Sequence, residues 1–477
     1  MTEAVRMDGS LAPPGEETEV IVVGARCAGS AAAVAFARSG RSVVVLDSAG
    51  FPSDTLSTHL LWPATVAELR GVGALERVRA IGAPELRSAF AAGSGVGIHS
   101  DFNPADGIDY ALCVRRTGLD AALVETARAA GAQVRERSRV EELLWERQRC
   151  VGVRYTDSSG SHELRAAMVV GADGRRSTVA RLTGAETPWL ATPSGRDCFF
   201  AYWRDRADSW RHIAAQWRAG PDLGTAFPCD DGLVLSLVQP PVTGEKLRPG
   251  VAERRYTEAL QRLPGLTERL TGCERVGRVR SATGIESYFR HAAGPGWALA
   301  GDAGHFKDPV TAQGIRDALR YGRLLGEMAA PVLDDRVELD AALRDWERKR
   351  VAECLEIFQW TNRLARGTAM SSLEIELYRK AATDRELASQ VTEIFSRTKR
   401  PSDILGPARS VELAVRALRH AFPAVGPVCA DLAGEARDLV SDWWQARGVA
   451  AGGQLPCFPA TPVIPPPTTV CSGERHG

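Results

Sequence analysis

Glu19-Val20-Ile21-Val22-Val23-Gly24-Ala25-Arg26-Cys27-Ala28-Gly29 is the stretch from which the fold can be read. Val20 to Val23 is an unbroken apolar run, as expected of a strand buried on both faces of a parallel sheet. Gly24 permits the tight turn that follows, and Gly29 lets the alanine-rich helix ending near Ser39-Gly40 lie close to the sheet. Arg41-Ser42-Val43-Val44-Val45-Leu46-Asp47 is the next strand and ends in a carboxylate. Strand, glycine turn, helix, strand, acid is the order of a dinucleotide-binding unit. The amides of the helix start, around Ala28, face a pyrophosphate, and Asp47, about 20 residues on, suits a ribose hydroxyl. One position departs from the pattern, since Arg26 stands where a middle glycine is usual. Its charge lies beside the bound cofactor, or its side chain turns to solvent.

With 477 residues the chain exceeds one ordinary core, so two or three domains are expected. Its 59 basic and 59 acidic residues give a formal net charge of zero, which argues against a nucleic-acid or anionic-membrane surface. Met1 to Val20 carries acidic residues and prolines where an export signal needs an apolar core. The longest apolar run, Ala28 to Ala37, is too short to span a bilayer, so the expectation is a cytoplasmic protein with no integral membrane segment. Ten cysteines occur without a C-x-x-C pair and eight histidines without H-E-x-x-H spacing, so reduced thiols and no metal site are expected.

Two later stretches end strands in the same manner. Met168-Val169-Val170-Gly171-Ala172-Asp173-Gly174 is a buried strand running into a Gly-Asp-Gly turn, and Arg175-Arg176-Ser177 leads to a helix that Ser177 can cap. Trp297-Ala298-Leu299-Ala300 enters Gly301-Asp302-Ala303-Gly304-His305-Phe306-Lys307-Asp308-Pro309-Val310-Thr311-Ala312-Gln313-Gly314, and a helix starts there. Between the first and second of the three motifs, Val114 to Asp120 opens a helix and Val140 to Ala166 reads as a three-stranded meander with its turn at Asp157 to Gly160. Phe51 to His59 is a polar loop whose Ser and Thr hydroxyls and His59 suit a cofactor edge or a helix cap.

The three motifs, in this order and spacing, resemble the aromatic-hydroxylase type of FAD-dependent monooxygenase, the flavoprotein group that includes para-hydroxybenzoate hydroxylase. Halogenases and geranylgeranyl reductases are cousins of that group. The resemblance covers about Glu19 to Tyr321. It implies an α/β fold: a Rossmann-like FAD-binding domain (18–85, 108–186 and 281–330) with an inserted antiparallel β-sheet substrate domain (86–107 and 187–280). A C-terminal helical region (331–451) and a flexible Pro-rich tail (452–477) complete the expected organisation. By the same resemblance Gly24 and Gly29 lie at the pyrophosphate, with Arg26 and Ala28 between them as further cofactor-binding candidates, Asp47 lies at the adenosine ribose, and Arg116 against FAD at a helix start. Asp173 serves FAD and NAD(P)H binding, Gly301 and Asp302 hold the ribityl chain, and Pro309 lies against the isoalloxazine. Gln313 and Gly314 form the helix start under N1–C2=O, where free amides favour the negative charge of reduced flavin. Ala312 departs from the pattern, standing where glycine is common.

The implied reaction uses NADPH or NADH as donor and O2, with oxygen transferred through a flavin C4a-hydroperoxide to an apolar or aromatic small molecule. A phenolic substrate needs a base, and His305, with His59 behind it, is the candidate. The alternatives are reduction of a carbon–carbon double bond, as in geranylgeranyl reductases, or halogenation. The latter lacks its Trp-x-Trp-x-Ile-Pro signature and a counterpart of the halogenase lysine. In the inserted sheet, alternation places Phe200 and Tyr202 on one face and Phe199 and Trp203 on the other. The C-terminal helices cap a pocket or form a homodimer face.

Overall fold

Val20–Val23 lies inside a six-stranded sheet whose order is Ala293–Gly294, Trp297–Leu299, Met168–Gly171, Val20–Val23, Val43–Leu46 and Gln133–Arg135. The last five strands are parallel, and Ala293–Gly294 pairs antiparallel with Trp297–Leu299 as the edge hairpin. Every residue of Val20–Val23, Val43–Leu46 and Met168–Gly171 is buried, which is why these runs are unbroken apolar. The computed structural model describes residues 16–450. The proposed tail, 452–477, lies outside them.

The helices Cys27–Arg38 and Gly314–Ala329 cross at a distance only glycine allows. A Cβ on Gly322 would stand 2.4 Å from the Ala28 carbonyl oxygen, and one on Gly326 would stand 2.5 Å from Ala35 Cβ. The crossing therefore locks the first motif onto the helix that leaves the third.

The second sheet has seven strands: Glu274–Ala282, Cys198–Arg204, Leu233–Gln239, Asp222–Pro228, Ile213–Ala219, Ser88–Gly93 and Val96–Asp101, in that order. It is not wholly antiparallel. Ile213–Ala219 runs parallel to Ser88–Gly93. These strands are far apart in sequence, so no hairpin turn dictates their direction. One face, with Phe199, Trp217, Val234 and Val238, is covered by helices Val251–Gln261 and Pro264–Arg269. The other, with Phe200, Phe227, Leu235 and Leu237, packs against Leu60, Trp62 and Ala312 of the nucleotide-binding layer. Alternation along Cys198–Arg204 separates Phe199 and Trp203 from Phe200 and Tyr202: Trp203 donates to Tyr256 Oη at 2.9 Å on the helix side, while Phe200 and Tyr202 meet the His59 ring edge-on.

The meander Arg139–Glu146, Arg149–Asp157 and Gly160–Arg165 gains a short parallel partner, Glu16–Glu17. The C-terminal region is helical but more divided than its periodicity suggests, with helices Arg336–Leu364, Ser372–Ala381, Arg385–Ser396, Pro401–Ile404, Pro407–Ala421 and Gly426–Ala450. Side-chain caps at Asp335, Ser371 and Asp384 start the first three. No helix among the described residues is long and apolar enough to cross a membrane.

Candidate active site

The three glycine turns touch one another. A Cβ on Gly24, whose φ is +99°, would meet the Ala172 carbonyl oxygen at 2.5 Å, and one on Gly301, φ +58°, would meet Ala28 Cβ at 2.7 Å. Gly29 is packed more tightly still, 1.7 Å from the Gly24 oxygen by the same construction. The chain thus brings residues 24–29, 171–174 and 301–304 to one crevice at the C-terminal ends of parallel strands, where such sheets bind ligands. Helices Cys27–Arg38, Arg116–Ala129 and Gly314–Ala329 start there, and none has a side-chain cap. Their first N–H groups are left for an anionic or carbonyl partner. Gly314 is exposed, with nothing within 4 Å of where a Cβ would stand.

Asp47 is nearly buried and holds the first turn: Oδ2 accepts from Ala25 N–H at 2.7 Å and Oδ1 from Ala49 N–H at 2.8 Å. Each oxygen keeps a lone pair for a ribose hydroxyl. Asp173 is turned inward to its own loop, accepting from Ser177 Oγ at 2.5 Å and Thr178 N–H at 2.7 Å, so its part is to shape the Gly-Asp-Gly turn. Arg26 turns neither to solvent nor straight into the crevice. It pairs with Asp120, donates to Ser53 Oγ at 2.9 Å, and lies over the Phe51 ring. Arg116 binds the same acid, at 2.8 Å and 3.0 Å. Fully buried Asp120 is thus the anchor of both arginines, a role its sequence position in a helix does not signal.

Asp302 behaves differently. Among the described residues no donor reaches its carboxylate; burial pushes its carboxyl up to about 6, against the pull of Arg175 and Arg116. An unpaired acid beside uncapped helix starts is what a ribityl chain would satisfy through its hydroxyls. Tyr288 Oη donates to the Asp302 backbone oxygen at 2.6 Å and fixes the turn.

Under the turn lies a buried ionic cluster. Asp317 contacts Lys307 at 2.6 Å, Arg397 at 3.0 Å and Arg316 at 3.2 Å. Burial alone would raise its pKa, but Arg397, Lys307 and Arg316 hold it well below the usual range. Burial brings Lys307 down to about 8 although Asp317 opposes this. His305, Asp317 and Cys354 come close enough to suggest a metal, but those cations already neutralise Asp317. Gln313 departs from expectation in its side chain, which faces away from the crevice: Nε2 donates to the Ile394 and Phe395 carbonyls, both at 3.0 Å, and Oε1 accepts from Lys307 at 3.1 Å. Only its backbone is left for a cofactor. Ala312 adopts the left-handed conformation, φ +51°, that explains why glycine suits this position.

Between the seven-stranded sheet, the Pro309–Ala312 turn and helices Ser372–Ala381 and Arg385–Ser396 lies a largely apolar, partly open cavity. Its walls include Trp62, Ile98, Phe227, Leu237, Val391 and Phe395. Trp62 Nε1 donates to the Thr311 oxygen at 3.0 Å, tying one wall to the cofactor turn. Among the described residues no Asp, Glu, Lys, Arg or His lines the cavity, and the one phenol among them there, Tyr378, is pushed up to about 12 by burial.

Neither histidine fits the base expected from the sequence. His305 belongs to the strand His305–Phe306, stacks on Phe289 at 4.0 Å and donates from Nδ1 to the Tyr288 oxygen at 3.0 Å. Burial, with Lys307 nearby, drives its pKa well below normal. His59 is wholly buried, pairs through Nε2 with Tyr202 Oη at 2.9 Å, and burial with Arg116 brings it down to about 3. Both are neutral and neither lines the cavity.

These features define an FAD-dependent oxidoreductase. The chain belongs to the FAD binding domain family, which it matches over residues 17–358. It is 31% identical over 333 residues to a menaquinone reductase of Mycolicibacterium smegmatis, covering 65% of this chain and 76% of that protein. It is 28% identical to digeranylgeranylglycerophospholipid reductase 1 of Methanopyrus kandleri, covering 73% of this chain and 90% of that one. A flavoprotein/dehydrogenase from Cytophaga hutchinsonii has the same fold, with a TM-score of 0.71 at 19% identity over 84% of this chain and 98% of that one.

Proposed function

We propose that this protein is an NAD(P)H-dependent flavin monooxygenase that hydroxylates an uncharged, apolar or aromatic small molecule. The observation that carries the reading is the cavity without ionised groups, bounded on one side by the Pro309–Ala312 turn and closed on another by the C-terminal helices. FAD, when bound, would supply two-electron redox chemistry between NAD(P)H and O2; overall, substrate C–H, O2, NAD(P)H and H+ become C–OH, NAD(P)+ and water. In this reading the backbone at Gln313 and Gly314 presents amides to the negative edge of the reduced ring, and Asp302 holds the ribityl hydroxyls. Pro309 with Val310 and Thr311 supports the substrate against the cofactor. Phe395 and Val391 cover part of the cavity on the helical side and would limit the access of water to it. No side chain on the cavity wall is placed to deprotonate a phenol, so the substrate's own electron density must suffice.

A second reading is reduction of a double bond or quinone, favoured by the reductase relatives and by that same lack of a base. Halogenation has no support from a lysine: Lys307 is held by Asp317 and does not line the cavity. Purified protein should be yellow and oxidise NADPH or NADH faster when electron-rich polycyclic aromatics are added. Oxygen uptake matching hydroxylated product supports the first reading. Reduced product formed without oxygen replaces it with the second, and a colourless protein that cannot be reconstituted with FAD removes both.

A further inference from the structure

Three polar side chains stand together on the sheet side of the otherwise apolar cavity. Gln216 and Thr225 are direct cross-strand partners, and Gln239, opposite Leu223, is the diagonal neighbour of Thr225 on its other side. All three line the cavity. Thr225 and Gln239 are 5% and 2% exposed, yet Thr225 Oγ1 and Gln239 Nε2 have no hydrogen-bond partner in the protein. A buried hydroxyl and a buried amide without partners are rare in folded proteins. Alternation along Asp222–Pro228 and Leu233–Gln239 aims both at the cavity, on the face that also carries Phe227 and Leu237.

We infer that Thr225 and Gln239 form a neutral oxygen-recognition pair, and that the substrate is an apolar ring system carrying a ketone or quinone carbonyl. The inference rests on the cavity being the substrate site proposed above. A carbonyl oxygen has two lone pairs and accepts from the Thr225 hydroxyl and the Gln239 amide together. A carboxylate would enter a space without a cation, and its desolvation would go uncompensated. A hydrocarbon would leave both groups unpaired in the complex, whereas a carbonyl supplies the acceptor that each lacks. Sites of this kind discriminate strongly against analogues lacking the polar atom.

The test is binding to the FAD-loaded protein, measured by calorimetry, of three bicyclic probes of similar shape: tetralin, 1-tetralone and tetralin-1-carboxylate. 1-Tetralone is expected to bind at least tenfold more tightly than tetralin, and the carboxylate more weakly than either. Thr225→Val and Gln239→Leu each bring the ketone-to-hydrocarbon ratio below threefold, with FAD content normal and the thermal midpoint unchanged or higher, because an unpaired buried group has been removed. A merely structural role would lower the midpoint and leave the ratio intact. Equal affinity of tetralin and 1-tetralone, binding of neither, preference for the carboxylate, or a ratio that both variants leave unchanged overturns the inference. Discrimination without any flavin-dependent turnover would instead sink the oxidoreductase reading of the cavity and leave the recognition pair standing.

Discussion

Burial lifts the Asp302 carboxyl to about 6, more than Arg175 and Arg116 lower it, so at neutral pH the folded protein carries an ionised acid to which no described residue donates a hydrogen bond. Its unfolded value lies near 3.9. The folded state therefore holds this proton more tightly, and the acid becomes a growing penalty as pH rises from about 4 through the folded value. Asp302→Asn is expected to stabilise FAD-free protein at pH 7.5 by up to about 3 kcal/mol, read as a higher thermal midpoint, with much less gain at pH 4.5. The same change should lower bound FAD, because the acid suits the ribityl hydroxyls. Melting curves at the two pH values and a flavin absorbance ratio check both outcomes. His305→Phe should keep FAD content and turnover within about threefold of the native protein, since a phenyl ring preserves the stack on Phe289. A loss beyond tenfold with normal FAD would show that the imidazole takes part. The residue scale is where sequence reading fell shortest. Asp302 was identifiable from its turn, but His305 and Asp120 are defined by Phe289, Tyr288, Arg26 and Arg116, which lie elsewhere in the chain.

Helix pairs set the geometry of the crevice. The Cys27–Arg38 and Gly314–Ala329 helices present their free N-termini to the same space because Gly322 and Gly326 let them touch. Gly322→Val places a branched side chain against the Ala28 backbone, which cannot yield without moving the Gly24–Gly29 turn. Such overpacking costs about 1–3 kcal/mol or more. The expected result is a lower thermal midpoint together with loss of FAD, read by melting and by flavin content after desalting. Retention of FAD at full occupancy would show that the turn tolerates a shifted helix. At this scale most elements were legible, because apolar runs and helical periodicity are local. Strand partnership was less so: the parallel pairing of Ser88–Gly93 with Ile213–Ala219 and the His305–Phe306 strand depend on partners that no local pattern names.

Residues 24–29, 171–174 and 301–314 meet only in the folded chain, so FAD should bind the native state and not the unfolded one. The thermal midpoint is then expected to rise with FAD concentration, reflecting a stabilisation of about 2.7 kcal/mol at a hundredfold excess over the dissociation constant. Scanning fluorimetry across a range of added FAD checks this, and a midpoint indifferent to FAD would show that the native state does not bind it. By itself the sequence determined the nucleotide-binding layer and most of its turn residues. Glycines that must adopt positive φ, and strands that must be apolar on both faces, leave marks within a few neighbouring residues. Tertiary structure alone decided the chemistry of the cavity. Its walls come from Trp62, the seven-stranded sheet, the Pro309–Ala312 turn and the Arg385–Ser396 helix. Whether Gln313 faces the cofactor or the C-terminal helices, and whether Thr225 and Gln239 find partners, depends on packing among segments far apart in sequence. Burial and hydrogen bonding are set by those distant neighbours, so no local pattern records them.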